Sequence, residues 1–290
     1  MPLVSSLPLL KKAQKKRVAI PAFNIHNLET AQGVIEGAAE LRAPVIIATT
    51  PGTLRHTGIN CIFQIIKSLA RKYNIPIALH LDHCSNYDTL VKTIRNGYTS
   101  VMIDASELPY KKNVGLVKEV VKVGHAVGIP VEGELGRIGG TEDDMTLDER
   151  EATLTVPEEA VDFVDKTGID FLAVAIGTAH GVYKGEPELD FERLSSIAEL
   201  VNIPLVLHGA SGVPDSDVKK AIKSGICKVN IATELKIPFA RAVKNYFSRN
   251  PEATDPRKYL NSGKEALKKV VKEKIDLCGS REMAIEFMEQ

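Results

Sequence analysis

The feature that most restricts the fold is a repeated join. Helix-periodic stretches run into Asn or Gly, then Ile-Pro, then a short apolar run: Tyr73-Asn74-Ile75-Pro76, Val127-Gly128-Ile129-Pro130 and Val201-Asn202-Ile203-Pro204. Gly or Asn is expected there as a left-handed helix C-cap, with Pro as the stop. A chain that ends helices this way several times is reusing one building block. Strand-like runs recur at fairly even spacing, at Val18–Asn24, Pro44–Thr49, Ile77–Asp82, Ser100–Asp104, Pro130–Leu135, Asp170–Ile176, Pro204–His208 and Lys228–Ile231. Most are continuous rather than alternating, the pattern of strands buried on both faces. Helical patterns lie between them. Asn27 is expected to cap a helix through Leu41, with Thr30, Val34, Ala38 and Leu41 on one stripe. Another helix is expected over Asn113–Val127, and Pro157 and Pro214 are expected in the first turns of two more.

Strands alternating with helices imply a parallel sheet with right-handed crossovers. Eight such units in about 250 residues point to an α/β fold of the closed (β/α)8 type, a TIM barrel, rather than an open sheet. No GxGxxG follows the first strand, which removes support for a dinucleotide-binding sheet. One domain over 1–290 is expected. It would carry a long Gly-rich, acidic loop after strand 5 (Arg137 to Val156) and a C-terminal helical extension over about 250–290.

Formal net charge is zero over 290 residues, and no segment has a basic excess suited to nucleic acid. Lys11, Lys12, Lys15, Lys16 and Arg17 fit the outer face of a first helix. There is no run of eighteen apolar residues and no charged-then-apolar leader, so neither a membrane span nor a secretory signal is expected. The four cysteines form no CxxC pair, which favours a reducing, cytoplasmic setting over a disulfide framework.

In a barrel of this kind, polar residues at the C-terminal ends of strands are the functional candidates. Here that ring holds Asn24, Thr50, Asp82, His83, Asp104, Glu134, His180, His208 and Asn230. Any single member could merely cap a helix; a ring of this size implies chemistry. His83, His180 and His208 follow strands 3, 6 and 7 and read as ligands of one metal. Three imidazoles leave one position of a zinc ion open for substrate. Cys84 is a poor fourth ligand, because adjacent residues rarely converge on one ion. His26, His56 and His125 are read as ordinary surface or core residues, and His80 as an inward supporting group, since it shares the parity of Asp82. Gly209-Ala210-Ser211 and Asn230-Ile231-Ala232-Thr233 follow strands 7 and 8, where barrels often bind phosphate with backbone N–H groups; short Gly/Ser turns also occur for conformational reasons. Asp82 lies beside His83, and Glu142 lies in the long loop. Such a pair suits general acid/base work, although a solvated loop carboxylate is the simpler reading of Glu142 alone.

These residues resemble the class II, zinc-dependent ketose-bisphosphate aldolases along essentially the whole chain. The shared motifs are Pro21-Ala22-Phe23-Asn24, His80-Leu81-Asp82-His83, Met102-Ile103-Asp104-Ala105-Ser106, Glu132-Gly133-Glu134-Leu135-Gly136 with Gly139-Gly140, His180-Gly181, His208-Gly209 and Asp255-Pro256-Arg257. Within that family the chain is most similar to the D-tagatose-1,6-bisphosphate aldolases, through Phe23–Asn27, Ala175–Gly181, His208–Ser211 and Ala232–Lys236. Ala232 stands where fructose-bisphosphate aldolases usually carry an acidic or amide residue. Glu107 and Cys84 depart from the tagatose pattern, and Gly212 and the Tyr183–Pro187 loop are closer to the fructose one.

The resemblance implies reversible cleavage of D-tagatose 1,6-bisphosphate to dihydroxyacetone phosphate and D-glyceraldehyde 3-phosphate through a zinc-stabilised ene-diolate. It implies Zn2+ on His83, His180 and His208, with Asp104 and Glu134 at positions linked to alternative metal placement. Asp82 would be the proton donor and Glu142 the carbon acid/base. Asn24, Thr50, Gly181, Gly209, Ala210, Ser211, Asn230, Ile231, Ala232 and Thr233 would contact substrate and phosphate, beside a monovalent cation (Na+ or K+). Arg257 would reach a neighbouring subunit's second phosphate, which implies a homodimer or homotetramer. A lysine Schiff base is not expected: strand 6 has no lysine and Lys228 opens strand 8 at the wrong end. The competing readings are a fructose-1,6-bisphosphate aldolase with the same site and a non-catalytic accessory subunit of such an enzyme. A metal-dependent hydrolase is less suited, because Asn24-Ile25-His26 is not the His-x-His expected after strand 1.

Overall fold

The computed structural model describes residues 3–142, 145–147, 152–181, 183 and 185–287; for 141, 142 and 145–147 only the backbone is described. Eight parallel strands close a barrel. In chain order they are β1 (Ile20–Asn24), β2 (Val45–Thr49), β3 (Ile77–Cys84), β4 (Ser100–Ile103), β5 (Val131–Leu135), β8 (Phe171–Val174), β10 (Leu205–Leu207) and β11 (Ile226–Ile231). The ring runs β1-β11-β10-β8-β5-β4-β3-β2. The expected TIM barrel and all eight of its strands are present, most of them trimmed by one or two residues.

Among the described residues, three short strands lie outside the barrel: β6 (Gly139–Glu142), β7 (Met145–Leu147) and β9 (Ala179–His180). They pair as a small sheet in the order β7-β6-β9. The stretch after strand 5 is therefore not a plain loop. It folds back as a hairpin whose first strand lies alongside His180, with Gly139 opposite Ala179 and Gly140 opposite His180.

The apolar residues divide between two places. The larger cluster fills the space between barrel and helices and includes Phe23, Val45, Leu79, Val101, Leu172 and Leu207. The smaller one fills the lower barrel interior with Ile20, Ala22, Ile46, Ala78, Phe171, Ala173 and Val206. Helix α1 (Ser6–Lys16) closes that end, placing Leu9, Leu10 and Ala13 in the same cluster and leaving Lys11, Lys15 and Lys16 exposed. Higher in the barrel the inward positions turn polar: His80, Asp82, Glu132 and Lys228 are fully buried.

Local rules explain most helix boundaries. Helix α2 (Leu28–Glu40) starts as the sequence implies, at a capping box. The Asn27 Oδ1 accepts the Thr30 N–H at 3.0 Å, and the Asn27 N–H donates to Thr30 Oγ1 at 3.0 Å. Pro157 opens α7 (Pro157–Thr167) in its first turn. Three boundaries differ from expectation. Helix α6 (Tyr110–Ala126) begins three residues before Asn113, because Pro109 ends the preceding turn and can sit at the N-cap. Pro214 is the N-cap of α9 (Asp215–Lys223) rather than part of its first turn. Of the three Ile-Pro joins, only Gly128 has a left-handed backbone, φ 73°; neither Asn74 nor Asn202 has a positive φ. There α4 (Ile59–Ala70) and α8 (Phe191–Leu200) leave through Arg71 and Val201, so no Cβ penalty has to be met.

Helix α10 (Thr233–Arg249) follows the last barrel strand, and the stretch expected as a C-terminal extension, over about 250–290, contains α11 (Pro256–Cys278). Helix α11 lies along α2 and ties to it through Lys264–Glu36, Lys268–Glu40 and Lys272–Glu40 ion pairs. Among the described residues, no helix is long and apolar enough to cross a membrane. The stopper helix should be measurable in isolation from the site. Leu10 has no exposed surface, so Leu10→Ala is expected to cost about 2–5 kcal/mol, read from the denaturant midpoint of metal-free protein.

Candidate active site

The site begins with an irregularity in β3. Adjacent residues of a strand point to opposite sides, so a regular β3 could not turn both Asp82 and His83 into the barrel mouth. The register against β4 shifts between Leu81 and Cys84, and His83 adopts φ 45°, in the left-handed region. This bulge re-aims His83 without moving Asp82, a common use of bulges beside active sites. A non-glycine residue there costs on the order of 1–3 kcal/mol. The Met102 Sδ accepts the His83 backbone N–H at 3.4 Å.

His83, His180 and His208 then meet. One ring nitrogen from each lies within 4.8 Å of the others, and His83, Asp104 and Glu134 form a second group meeting the same distance. The hydrogen bonds around the histidines test whether a cation suits them. His83 Nδ1 lies 2.8 Å from Asp104 Oδ2, and His208 Nε2 lies 2.7 Å from Glu132 Oε1. Carboxylates only accept, so both nitrogens donate. The remaining nitrogens, His83 Nε2 and His208 Nδ1, lie 2.7 Å apart; with both rings neutral, each turns a lone pair toward the same point. Carboxylate-oriented imidazoles with converging lone pairs are the donor set of a divalent metal. The residues fit one.

The carboxylates differ in state. Burial opposes ionisation of Asp104, but His83 and the Ser106 hydroxyl and N–H outweigh it and hold the group down to about 2. Burial opposes ionisation of Glu132 too, yet Lys228, 2.7 Å away, and His208 keep it below the usual carboxylate range. For Glu134 burial, then the Asp104 charge, prevail over the opposing pull of His83 and Ser106 and push it well above the ordinary value. Asp104 thus orients His83 with both oxygens engaged, while Glu134 sits behind it. His80 is buried at the foot of this group, its Nδ1 2.7 Å from Ser100 Oγ. Burial, followed by the Lys228 charge, pushes it down to about 3.

Asp82 is held from two sides. The Asn24 amide donates to Oδ2 at 2.9 Å, and the Asn230 amide donates to Oδ1 at 3.0 Å and Oδ2 at 3.2 Å. Both asparagines are expected at the substrate, and in the structure their N–H groups orient Asp82. Thr50, also expected at the substrate, gives its hydroxyl to the N-cap of α3 (Pro51–Thr57).

A cleft at the barrel mouth is lined by His180, Gly181, Gly209, Ala210, Ser211, Asn230, Ala232, Thr233 and Lys236. This joins the two phosphate candidates, and Ile231 can contribute only backbone, because its side chain belongs to the outer core. Helix α10 starts at this cleft with no side-chain cap, leaving early N–H groups and the positive end of the helix dipole for an anion. Two glycines hold β9 here. A Cβ on Gly140 (φ 97°) would fall inside contact distance of the His180 backbone, and one on Gly209 (φ 64°) would come 2.6 Å from the Ala179 carbonyl oxygen. The Tyr183 hydroxyl bridges the same segments, accepting the Ala179 N–H at 2.8 Å and donating to the Gly209 carbonyl at 2.7 Å.

One expected residue stands apart from the cluster. Arg257, at the start of α11, is 89% exposed and paired with Asp255 at 2.9 Å. Glu142 ends β6, but its side chain lies outside the described residues. Four residues not expected at the site touch it: Glu132, Lys228, Tyr183 and Lys236. Lys228, expected to stand at the wrong end of its strand for a Schiff base, meets the site indirectly, through Glu132. Strand β11 starts two residues earlier than expected, at Ile226, which places Lys228 inside the barrel. Glu132 was readable by parity, since it lies two residues before Glu134 on one face of β5.

The family description for fructose-bisphosphate aldolase class-II matches residues 4–283. The chain belongs to this family. The solved structure described as the YdjI aldolase from Escherichia coli K12 superposes on the aldolase with a TM-score of 0.86 at 37% identity, covering 97% of this chain and 99% of that one. A Coccidioides immitis protein, described as a candidate fructose-1,6-biphosphate aldolase, gives 0.90 at 32% identity, covering 97% and 98%. The fructose-bisphosphate aldolase of Campylobacter jejuni gives 0.82 at 25% identity, covering 97% of each chain. Class II aldolases use a divalent metal, and the cluster of buried His83 and His208 with half-buried His180 suits that requirement.

Two outcomes follow from this geometry. Gly140→Ala should displace β9 and weaken divalent-metal affinity by roughly ten-fold or more, measured by competition with a chromophoric chelator. The second concerns acid. His80 has an ordinary value of 6.5 and is held down to about 3 in the folded chain. Below 6.5 the unfolded chain takes up a proton that the folded chain refuses, so stability falls as pH drops from 6.5 toward 3. Metal-free His80→Gln should show a shallower loss over that window in urea titrations.

Proposed function

We propose that this aldolase reversibly cleaves D-tagatose 1,6-bisphosphate to dihydroxyacetone phosphate and D-glyceraldehyde 3-phosphate. The observation that carries the reaction is the oriented Asp82 carboxylate beside three converging imidazoles, with an anion cleft next to them. The sugar assignment rests on Ala232, the N-cap of α10, where fructose enzymes usually carry an acidic or amide residue. Fructose 1,6-bisphosphate is the second reading, favoured by the descriptions of two of the similar solved structures.

His83, His180 and His208 would hold Zn2+, which supplies Lewis-acid polarisation of the ketose carbonyl when bound. Asp82 takes the C4 hydroxyl proton as the C3–C4 bond breaks and returns it to the aldehyde oxygen in condensation. Asn24 and Asn230 keep its oxygens aimed by donating to them from both sides. Glu142 exchanges the proton at C3. Gly181, Gly209 to Ser211 and Asn230 to Thr233 receive the phosphate nearest the ketone, with Lys236 adding positive charge and Na+ or K+ close by. Arg257 belongs to the site of a neighbouring copy in a homodimer or homotetramer and binds the second phosphate there. Its exposure on its own protomer supports that role, since an exposed pair with Asp255 is worth little and easily exchanged.

The two sugars differ at C4, and a site that hydrogen-bonds a hydroxyl can discriminate strongly. Cleavage of both purified sugars, compared by kcat/KM, should favour tagatose bisphosphate; a fructose value above the tagatose one would sink that assignment. In the same assay, chelation should abolish cleavage and added zinc restore it. Asp82→Asn should lower kcat about 10²–10⁴-fold while zinc content stays at the wild-type level. A zinc-loaded chain inactive on either sugar would favour a non-catalytic accessory role instead.

A further inference from the structure

The barrel interior below the histidines holds an ion pair that neither packing nor the proposed chemistry requires. Lys228 Nζ and Glu132 Oε2 lie 2.7 Å apart, and both side chains are fully buried. Residues 228 and 132 come from β11 and β5, which are not neighbours in the barrel, so the pair crosses its interior. Burying two charges costs more than their attraction commonly returns, and apolar residues of similar volume serve stability as well or better. The positions below are filled in that way, by Ala22, Ala78, Phe171 and Val206. Something other than stability accounts for charge at this level.

The second oxygen of Glu132 gives the reason. Glu132 Oε1 accepts from His208 Nε2 at 2.7 Å, and the opposite ring nitrogen, Nδ1, lies 2.7 Å from His83 Nε2. We propose that Lys228 and Glu132 are positioning residues for the metal: Lys228 anchors one oxygen of Glu132, and the other fixes the His208 tautomer that presents the Nδ1 lone pair. This rests on reading His83, His180 and His208 as metal ligands. His80 completes the arrangement. Ser6 donates to Ser100 at 2.8 Å, so the Ser100 hydroxyl hydrogen is directed to His80 Nδ1, and Nε2–H faces Glu132 Oε2 at 3.4 Å and Asp82 Oδ1 at 3.7 Å. Glu132 is thus met by Lys228, His208 and His80, and His208 is the one member of that set that reaches the metal centre. Asp104 does the equivalent for His83 from the other side, through a serine rather than a lysine.

The test separates positioning from stability with Lys228→Met, Glu132→Gln and the double variant. Each single variant leaves one buried charge alone and should lower the Tm of metal-free protein. The double variant removes both charges and should regain most of that loss. Its zinc affinity, read by chelator competition, should stay roughly 10–100-fold weaker than wild type, because a glutamine amide can offer His208 either a donor or an acceptor. At saturating zinc its kcat should fall while KM is unchanged. A double variant with recovered Tm and wild-type zinc affinity would overturn the proposal while leaving the metal reading intact. A wild-type chain that binds no divalent metal would sink the metal reading and this proposal with it. Should the variants fail to fold, nitrogen-15 spectra of histidine-labelled, metal-free wild type decide the matter: protonation of His208 at Nε2 supports the relay, and protonation at Nδ1 refutes it.

Discussion

Everything catalytic in this barrel depends on the chain running irregularly for two residues of β3. A straight strand would send Asp82 to the interior and His83 outward into the helices. The left-handed turn at His83 (φ 45°) puts a carboxylate and an imidazole from adjacent residues into one mouth. That conformation is unfavourable for histidine by on the order of 1–3 kcal/mol, and the surroundings over-determine it. Met102 accepts the backbone N–H, Asp104 holds one ring nitrogen, and Asn24 and Asn230 grip the neighbouring Asp82. Strain of this kind is kept where loss of the strained geometry would cost activity rather than fold.

The same principle, over-determination from several elements, recurs at each imidazole. His180 stands on a two-residue strand that could not hold position by its own ladder. Gly140 lets β6 lie against it, Gly209 lets the turn after β10 approach Ala179, and the Tyr183 hydroxyl links the two sides. His208 is set from below by Glu132 and Lys228. No one of β3, β6, β9 and β10 carries the site; their contacts place three rings whose centroids lie 4.5–6.1 Å apart.

How much of this could be read in the sequence depends on the range of the interactions. Strand positions were legible because burial on both faces leaves continuous apolar runs, and the Asn27 capping box because its partners are three residues apart. His83, His180 and His208 were legible because each stands where an apolar run turns polar. The Lys228–Glu132 pair joins residues 96 positions apart, and no local pattern announces it; Lys228 was dismissed by its place along the strand. The contacts of Asn24 and Asn230 with Asp82 were not legible for a related reason. An asparagine at a barrel mouth can face substrate or a side chain, and only the fold puts Asp82 within reach. The hairpin after β5 was hidden by composition, since glycine and acidic residues read as loop until a partner strand is known.

One feature at the far end of the molecule bears on turnover. Helix α1 stoppers the lower barrel with Leu9, Leu10 and Ala13, and the first helical residue, Ser6, ends the hydrogen-bonded column that rises through Ser100 and His80 toward Glu132 and Asp82. The column therefore has a blind end. Ser6, Ser100, His80, Glu132 and Asp82 have no exposed surface, so any proton these groups trade with water must pass through the mouth.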